Sequence, residues 1–496
     1  MSDRRAVPNA RREFMERKKL FAILVVLAVI LAGAGYLLLG RQEPPPPGTT
    51  AASIAMPPGI GWDPIYEFGK SGYEPSLMVD SKGYMYYTAH KNLDDKGTWD
   101  YLASWFFVGS PDGKTWVAPS EPFPRGNLWK TYLGVEGDLA VDGNDRVYYV
   151  DTYLIDNHLH VFDSPGVWRY SVRVQKTTGL DDRPWISAQG DGICHYLGNN
   201  GAEANGGRYW YYRSTTGGRV WTLATPVPGN GWGHIDAERK GTHAYIISES
   251  DVGAPADILI YPSDDSGATW DFSNPVVVGA REGPGLGDGF PVWVMAGPQG
   301  MVWCMWTDAT DAINDGSRIF LGWSRDFGRT WNSSEITPWK SLFEYTTIGV
   351  GDDGSIGVSF YAVDSLPVTA ETKWYIYAAM LRPESPFHPW NRDFENTSMA
   401  MQAQRKAESA RASDKADLTA LDGTLFFNFT KAEEGPVYTG NDLHALHDFF
   451  EIAVGPDGYL NVAYQHYVGP TNGASMLYFV RGTLPSAGNT NSTRAG

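Results

Sequence analysis

A short pattern of apolar and polar positions recurs along most of the chain. In each copy an apolar strand leads into a tight turn containing Gly or Asp-Gly, and an aromatic-rich strand follows. Because Gly and Asp-Gly tolerate the positive φ that such turns require, each copy predicts a β-hairpin. The copies begin at Glu74, Glu136, Arg183, Gly233, Phe290, Tyr345 and Phe449.

The spacing of these copies predicts a β-propeller. Most intervals are about 50 to 60 residues, which leaves room for two further strands and makes each unit a four-stranded blade. About seven blades are expected, or six if the irregular second copy is not a blade. A spare strand near Gly61 is expected to complete the last blade, because closing the ring removes exposed sheet edges. The predicted fold class is all-β, with the propeller at residues 60–485.

An insertion at residues 383–423 interrupts the sixth unit. Its stretch from 395 to 420 is rich in Ala, Lys, Arg and Glu and contains no Gly or Pro, which predicts a helix. Packing against the propeller rim is the leading interpretation, and a lid or partner-binding helix is the alternative.

A long apolar run near the N-terminus predicts a membrane anchor. Residues 20–39 carry no charge, and a helix of that length spans roughly 30 Å of hydrocarbon. Arg and Lys precede the run, so the positive-inside rule places the N-terminus in the cytoplasm and the remainder outside. A cleavable signal is the alternative, with AGA at 32–34 as the cleavage site. The predicted segments are a basic cytoplasmic stretch (1–19), an anchor (20–40), a Pro-rich stalk (41–59), the propeller (60–485) and a disordered tail (486–496).

A second repeat has the spacing S-x-D-x-G-x-T-W. Residues 263–270 and 324–331 match it completely, residues 110–116 are one residue shorter, and residues 214–221 lack the Asp. These segments resemble the Asp-boxes of the sialidase-like propeller superfamily, and the resemblance covers roughly residues 60–485. It implies a propeller fold, in which the Asp accepts hydrogen bonds inside a turn and the Trp packs between strands. The repeats are therefore expected to be structural.

Charge and cysteine content narrow the possible partners. The formal net charge of −17 argues against nucleic acid, because phosphate binding depends on Lys and Arg. Cations and neutral glycans are better electrostatic matches. Cys194 and Cys304 fall in non-adjacent repeats, so two free, buried thiols are expected.

Acidic residues recur where the predicted inner strands begin. In a propeller these positions share one face, opposite the Asp-box turns. Carboxylates crowded around one channel cannot all stay ionised without a partner, so either their pKa values rise or a cation such as Ca²⁺ binds them. A bound cation is favoured over a solvated acidic rim that binds nothing. The predicted ligands are Glu74, Asp138, Asp236 and Asp288.

The resemblance to sialidases implies a catalytic alternative on the same face. Such an enzyme needs arginines that grip a carboxylate, a Tyr nucleophile beside a Glu, and an acid/base Asp. Glu344 and Tyr345 open a segment that resembles the nucleophile strand, and Asp182 would be the acid/base residue. The predicted substrate-binding residues are Arg125, Arg183, Arg281, His234 and Trp185. The family's early R-I-P motif is absent, and ordinary structural roles for Tyr345, His234 and Trp185 are the alternative.

Three functional hypotheses follow. The leading one is an anchored, extracytoplasmic propeller that binds a glycan or another surface ligand on its acidic face. The second is a sialidase-type exo-glycosidase. The third is a scaffold whose rim and inserted helix contact cell-envelope proteins.

Overall fold

The architecture is an all-β propeller with few helices. The computed structural model describes residues 54–92, 104–118, 136–152, 157–174, 181–200, 209–229, 233–250, 255–283, 291–411, 425–468 and 475–485. The strands in the first half are β1 (Gly61–Trp62), β2 (Tyr66–Val79), β3 (Met85–Lys91), β4 (Ser104–Gly109), β5 (Trp116–Val117), β6 (Glu136–Val141), β7 (Arg146–Thr152), β8 (Asn157–Asp163), β9 (Val167–Arg173), β10 (Asp181–Gln189), β11 (Ile193–Asn200), β12 (Tyr209–Ser214) and β13 (Thr225–Pro226).

The second half continues the same pattern of short antiparallel strands. These are β14 (Gly233–Ala237), β15 (Ala244–Glu249), β16 (Ala256–Ser263), β17 (Val276–Arg281), β18 (Trp293–Ala296), β19 (Val302–Asp308), β20 (Arg318–Ser324), β21 (Asn332–Glu335), β22 (Phe343–Val350), β23 (Ile356–Val363), β24 (Lys373–Leu381), β25 (Thr430–Lys431), β26 (Tyr438–Thr439), β27 (Ile452–Val454), β28 (Leu460–Tyr467) and β29 (Ser475–Thr483). The helices are α1 (Ala312–Asp315), α2 (Phe394–Arg411) and a 3₁₀ turn at Pro298–Gly300.

The described strands form six sheets, of which five stand as separate blades. Four of these run β6 to β9, β10 to β13, β14 to β17 and β18 to β21, and the fifth runs β22 to β25 with β26 added on β24. The sixth sheet has eight strands, in the order β27-β28-β29-β2-β3-β4-β5 with β1 on β29. The prediction of about seven separate four-stranded blades is therefore corrected.

The eight-stranded sheet exists because β2 belongs to two ladders. This 14-residue strand pairs with β29 through Tyr66, Glu67 and Ser71 and with β3 from Gly72 to Val79. The innermost strands contact one another in a closed series, β2, β6, β10, β14, β18, β22, β27 and back to β2. The expectation that the N-terminal strand joins the last repeat and closes the ring is confirmed, since β1 and β2 both pair with β29.

Two faces of the ring are used below. The upper face is the end at which the innermost strands begin, and the lower face carries the turns that end them. The S-x-D-x-G-x-T-W turns also lie on the lower face, because they follow the third strand of a blade.

The lower-face turns are held together by their own aspartates. Asp265 accepts hydrogen bonds from the Ser263 hydroxyl at 2.9 Å and from the Thr269 hydroxyl at 2.6 Å. Asp326 accepts equivalent bonds from Ser324 and Thr330, at 2.8 and 2.7 Å. Although burial alone would raise it, these bonds hold the pKa of Asp265 below its ordinary value. The aspartates therefore stabilise turns, as their repeated position predicts.

The inserted helix packs on the propeller. α2 begins at Phe394, one residue before the predicted start, and residues 412–424 lie outside the described part. Phe394 and Met401 are buried in the large core cluster, and the Phe394 ring lies 6.0 Å from Trp323. Packing on the rim, the leading interpretation of this segment, agrees with these contacts.

The N-terminal end of the described chain is attached to this region. The Ile54 amide donates to the Gln404 side chain at 2.9 Å, and Asn428 donates to the Pro57 carbonyl at 3.1 Å. Residues 54–59, assigned above to the stalk, therefore belong to the propeller unit. The predicted anchor at 20–40 lies outside the described residues, among which no helix is long and apolar enough to cross a membrane. Cys194 and Cys304 are free and buried, as expected.

Buried carboxylates join neighbouring innermost strands. Asp138 accepts the Ile186 amide at 2.7 Å, linking β6 to β10. Glu451, directly before β27, accepts the Leu77 amide at 2.9 Å and the Ser76 hydroxyl at 2.6 Å. Burial raises the pKa of Asp138 to about 7 and, with the Asp138 charge, raises that of Glu451 well above its ordinary value.

Asp236 makes the same kind of link further around the ring. It accepts the Ala296 amide of β18 at 2.8 Å and the Ser187 hydroxyl of β10 at 2.9 Å. Burial raises its pKa to about 6. Carboxylates that connect inner strands replace blade-to-blade backbone pairing, which the propeller geometry does not provide.

We expect Asp236 to make the stability of the protein depend on pH. Between about pH 4 and 6 the folded protein keeps a proton on Asp236 that the unfolded chain has released, so stability falls as pH rises through this window. Asp236→Asn should remove that slope, changing the difference in unfolding free energy from wild type by up to about 3 kcal/mol across the window. Urea unfolding at a series of pH values measures it. Asp163→Asn, at an exposed strand end, serves as the control, and parallel pH profiles of wild type and Asp236→Asn would contradict the assignment.

Candidate functional site

The most distinctive polar arrangement on the upper face lies where β2 meets the segment before β27. It consists of Tyr73, Glu74, His90 and His447, called the upper-face cluster below. Tyr73 and His90 are direct cross-strand partners in the β2–β3 ladder, and ring closure brings His447 from the other end of the chain. Residues at the first and at the last predicted repeat therefore lie in one site.

A carboxylate and an imidazole are in direct contact in this cluster. Glu74 Oε2 lies 3.2 Å from His90 Nε2, and both side chains are buried, with exposed fractions of 7% and 6%. The Asp448 amide donates to Glu74 Oε1 at 3.2 Å. These contacts fix the orientation of both groups, and a carboxylate that contacts one ring nitrogen selects the tautomer of the histidine.

Aromatic rings stack beside this pair. The Tyr73 ring lies 4.5 Å from the His90 ring and 3.8 Å from the His447 ring, with interplanar angles of 23° and 15°. Tyr73 and His447 are half-buried, whereas Glu74 and His90 are buried. The stack places flat aromatic rings next to the carboxylate–imidazole pair.

Two residues of the cluster have unusual backbone conformations. Glu74 has φ of 51° and His447 has φ of 57°, a left-handed region that non-glycine residues rarely adopt. At Glu74 the cause is a bulge in the β2–β3 ladder between Tyr73 and Ser76. Bulges and strained residues persist where surrounding contacts over-determine them, and they concentrate at functional sites.

Electrostatics favour a neutral His447. Burial lowers the pKa of His447 to about 4, and the negative charge of Glu74 opposes that fall. At neutral pH the His447 ring therefore has one donor and one acceptor nitrogen. A neutral imidazole, a carboxylate–imidazole pair and a phenol together can bind, donate and accept protons.

The predicted nucleophile pair lies in the interior. Tyr345 is buried, and its hydroxyl donates to the Leu443 carbonyl at 2.6 Å. Glu344 is also buried, neither of its carboxylate oxygens has a hydrogen-bond partner, and burial raises its pKa well above the ordinary value. This geometry presents neither side chain to a sugar, so it favours the structural alternative for Tyr345.

The predicted arginine cluster is not assembled by the described residues. Arg281 is buried, its Nη1 lies 2.5 Å from Glu249 Oε1, and its Nε donates to the Thr307 carbonyl at 2.9 Å. Arg125 lies outside the described residues. Of Asp182 and Arg183 the structure describes only the backbone, in β10. Because Arg281 on β17 donates to Thr307 on β19, it connects neighbouring blades.

His234 and Trp185 belong to an aromatic plug on the axis. The Trp185 ring lies 5.1 Å from His234, 5.3 Å from Trp293 and 5.3 Å from Phe449. Since β10 and β27 are not neighbours in the ring, the contact between Trp185 and Phe449 crosses the axis. Burial lowers the pKa of His234 to about 3, and its Nδ1 donates to the Val294 carbonyl at 3.0 Å. These residues close the centre of the ring.

The predicted calcium ligands that the structure describes have other partners. Glu74 contacts His90, while Asp138 and Asp236 accept amide hydrogens from neighbouring inner strands. No group of three or more His, Cys, Asp or Glu side chains in the described part is arranged to hold a metal ion. Asp288 lies outside that part, so calcium binding stays a prediction.

A cavity of about 360 Å³ lies at the lower-face end of the axis. Its rim carries Arg239 and Lys240, whose side-chain nitrogens lie 3.7 and 3.9 Å from the Asp352 carboxylate. The charges on this rim are thus largely paired. The cavity lies on the face opposite the upper-face cluster and shares no lining residue with it.

Sequence reasoning named Glu74, as a metal ligand, and missed Tyr73, His90 and His447. A signal for His90 was present, because the hairpin register places it opposite the residue before Glu74. No local pattern marks His447, which reaches the cluster only through ring closure.

No protein-family model matches the chain, and no curated protein matches it. Solved structures that resemble it include glycan-acting β-propellers. An ulvan lyase bound to a GlcA–Rha3S repeat shares 11% identity with a TM-score of 0.45, covering 83% of this chain and 95% of that one. A protein of unknown function from Dyadobacter fermentans shares 15% identity with a TM-score of 0.42, covering 86% of this chain and 100% of that one.

An intramolecular trans-sialidase from Ruminococcus gnavus is a third such structure. It shares 13% identity with a TM-score of 0.37, covering 85% of this chain and 97% of that one. At these identities the similarity concerns the fold alone, and no residue role transfers.

The upper-face cluster predicts an unusual histidine titration. His447 should titrate with a midpoint of about 4, and Glu74→Gln should move that midpoint lower, because it removes the charge that stabilises imidazolium. NMR of ¹³C-labelled histidine rings measures both. Glu238→Gln, which alters a carboxylate–imidazole pair on the lower face, should leave His447 unchanged. A His447 midpoint near the ordinary value of about 6.5 would contradict the geometry.

Proposed function

We propose that this protein binds a glycan at the upper-face cluster and cleaves it by acid–base chemistry. The contact between Glu74 and His90, beside the half-buried stack of Tyr73 and His447, carries this proposal. In this proposal the stack is the platform for a sugar ring, since aromatic side chains present an apolar face beside polar tips. Glu74 and His90 exchange a proton with the bond that breaks.

The glycan class is supported by two further features. The S-x-D-x-G-x-T-W turns resemble those of sialidase-like propellers, and they lie on the lower face, opposite the upper-face cluster. The net charge of −17 disfavours nucleic acid. Within this class the geometry supports acid–base cleavage better than a sialidase-type covalent mechanism, because the Tyr345 hydroxyl is bonded to Leu443.

Recognition without cleavage is the second candidate. The burial of Glu74 and His90 favours it, because a buried carboxylate and a buried imidazole have little contact with a ligand on the surface. A binding protein would retain glycans through Tyr73 and His447 and release no product. A scaffold for cell-envelope proteins stays a third hypothesis. Co-purification of envelope proteins with this protein would support it.

We expect the activity to depend on the Glu74–His90 pair. The full-length protein in detergent is incubated with neutral and acidic polysaccharides, with and without Ca²⁺, and the products are analysed by mass spectrometry. Product masses separate hydrolysis, which adds water, from elimination, which does not. Glu74→Gln and His90→Gln should each lower turnover by roughly 10²- to 10⁴-fold.

The lower face offers a matched control. Glu238 and His243 form another carboxylate–imidazole pair, with Nδ1 and Oε2 2.8 Å apart, so Glu238→Gln and His243→Gln should leave turnover unchanged. Retention of intact glycan without product, abolished by Tyr73→Ala, would instead establish the binding candidate. If no polysaccharide is retained and none yields a product, both the cleavage and the binding candidates are excluded.

We also propose that residues 20–40 anchor the protein in a membrane with the propeller outside the cytoplasm. Replacing Val25 and Val26 with Lys should release the protein from carbonate-washed membranes, because each charge placed within the apolar part of a spanning helix costs up to about 3 kcal/mol. Val468→Lys, at an exposed propeller position, is the control. Unchanged membrane retention of the Val25/Val26 variant would refute the anchor.

A further inference from the structure

A serine, a histidine and an aspartate form a hydrogen-bonded chain on the blade made by β6 to β9. Ser171 Oγ lies 2.7 Å from His160 Nδ1, and His160 Nε2 lies 3.1 Å from Asp151 Oδ2. The three residues come from β9, β8 and β7. None of them belongs to the upper-face cluster.

Strand register brings the three side chains to one face of the sheet. Ser171 is the direct cross-strand partner of His160. On the other side His160 pairs with Tyr149, and Asp151 lies two positions further along the same strand, which is the diagonal neighbour. Side chains at direct and diagonal positions of an antiparallel ladder are within contact distance. The arrangement is therefore held by two backbone ladders, β7–β8 and β8–β9, rather than by a loop.

Burial is graded along the chain from acid to hydroxyl. Asp151 and His160 are 2% and 3% exposed, whereas Ser171 lies half-buried on the outermost strand. Beside it, Trp168 is 38% exposed, and its Nε1 donates to Ser171 Oγ at 3.1 Å. A buried acid, a buried base and an accessible hydroxyl is the order that a nucleophilic serine requires.

The hydrogen-bond roles are internally consistent. An ionised Asp151 accepts the proton of His160 Nε2, which leaves Nδ1 as the acceptor for the Ser171 hydroxyl. The two ring nitrogens have exchanged the roles they play in the usual serine hydrolase triad. The chemistry requires only that one nitrogen donate to the acid while the other accepts from the serine.

We propose that Ser171, His160 and Asp151 form an acyl-transfer site that hydrolyses carboxylic esters. Ser171 Oγ forms a bond to the ester carbonyl carbon while its proton passes to His160 Nδ1, and the alkoxide leaves with that proton as an alcohol. Water then adds to the acyl-serine, gives a proton to His160, and the carboxylic acid departs as Ser171 regains its proton. The Trp168 indole N–H is the nearby donor for the negative charge that develops on the carbonyl oxygen.

A fluorophosphonate probe tests this site directly. The native full-length protein is incubated with the probe, digested, and the labelled residue is identified by mass spectrometry, while p-nitrophenyl acetate hydrolysis is followed in parallel. Ser171 should be the labelled residue, and Ser171→Ala should abolish label and esterase activity. His160→Gln should slow labelling by roughly 10²- to 10⁴-fold.

Ser333 provides a matched control. It lies exposed on β21, the outermost strand of another blade, and Ser333→Ala should label and hydrolyse like wild type. Heat-denatured wild type should lose the label, because the probe reads assembled geometry. Native wild type that takes up no label at Ser171, or Ser171→Ala that labels equally, would overturn the proposal. Because the first of these outcomes uses only the wild type, a variant that fails to fold cannot conceal it.

Discussion

Closure of the ring is the constraint on which the rest of this structure depends. A propeller whose first and last repeats did not join would expose the edges of β2 and β29, with unpaired amide and carbonyl groups along both. Here β2 is long enough to serve both ladders. Glu451 provides a second connection between the two chain ends, since it accepts hydrogen bonds from the Leu77 amide and the Ser76 hydroxyl. The ladder supplies hydrogen bonds at the periphery, and the buried carboxylate supplies them near the axis.

Closure also builds the candidate site. Glu74 and the Asp448 amide are 374 positions apart in the chain, yet they are hydrogen-bonded. The stack of Tyr73 on His447 joins the same two chain ends. A site at the closing seam depends on the whole ring being folded, because neither end alone assembles it. Two residues at this seam have left-handed backbone conformations, Glu74 at the bulge inside β2 and His447 before β27.

Burial changes what the acidic residues of this protein do. The sequence alone places many carboxylates near the axis, and their negative charges predict a bound cation. In the folded chain Asp138 and Asp236 accept amide hydrogens, and burial raises their pKa values to about 7 and about 6. Glu344 is buried without a partner, and its pKa is raised well above the ordinary value. Protonation thus removes part of the charge that the predicted calcium was expected to neutralise.

The amino-acid sequence by itself determined the hairpins, their turns and the all-β class, because Gly placement and strand patterning act over a few residues. It also determined the inserted helix, whose start at Phe394 differs by one residue from the prediction. Tertiary structure decided the sheet count, since only pairing shows that β2 serves two ladders. It likewise decided the contacts of polar residues: Tyr345 and Arg281 are buried. The bulge in β2 brings Glu74 against His90, and strand register pairs Ser171 with His160. Those outcomes depend on contacts between distant segments, which local sequence patterns do not encode.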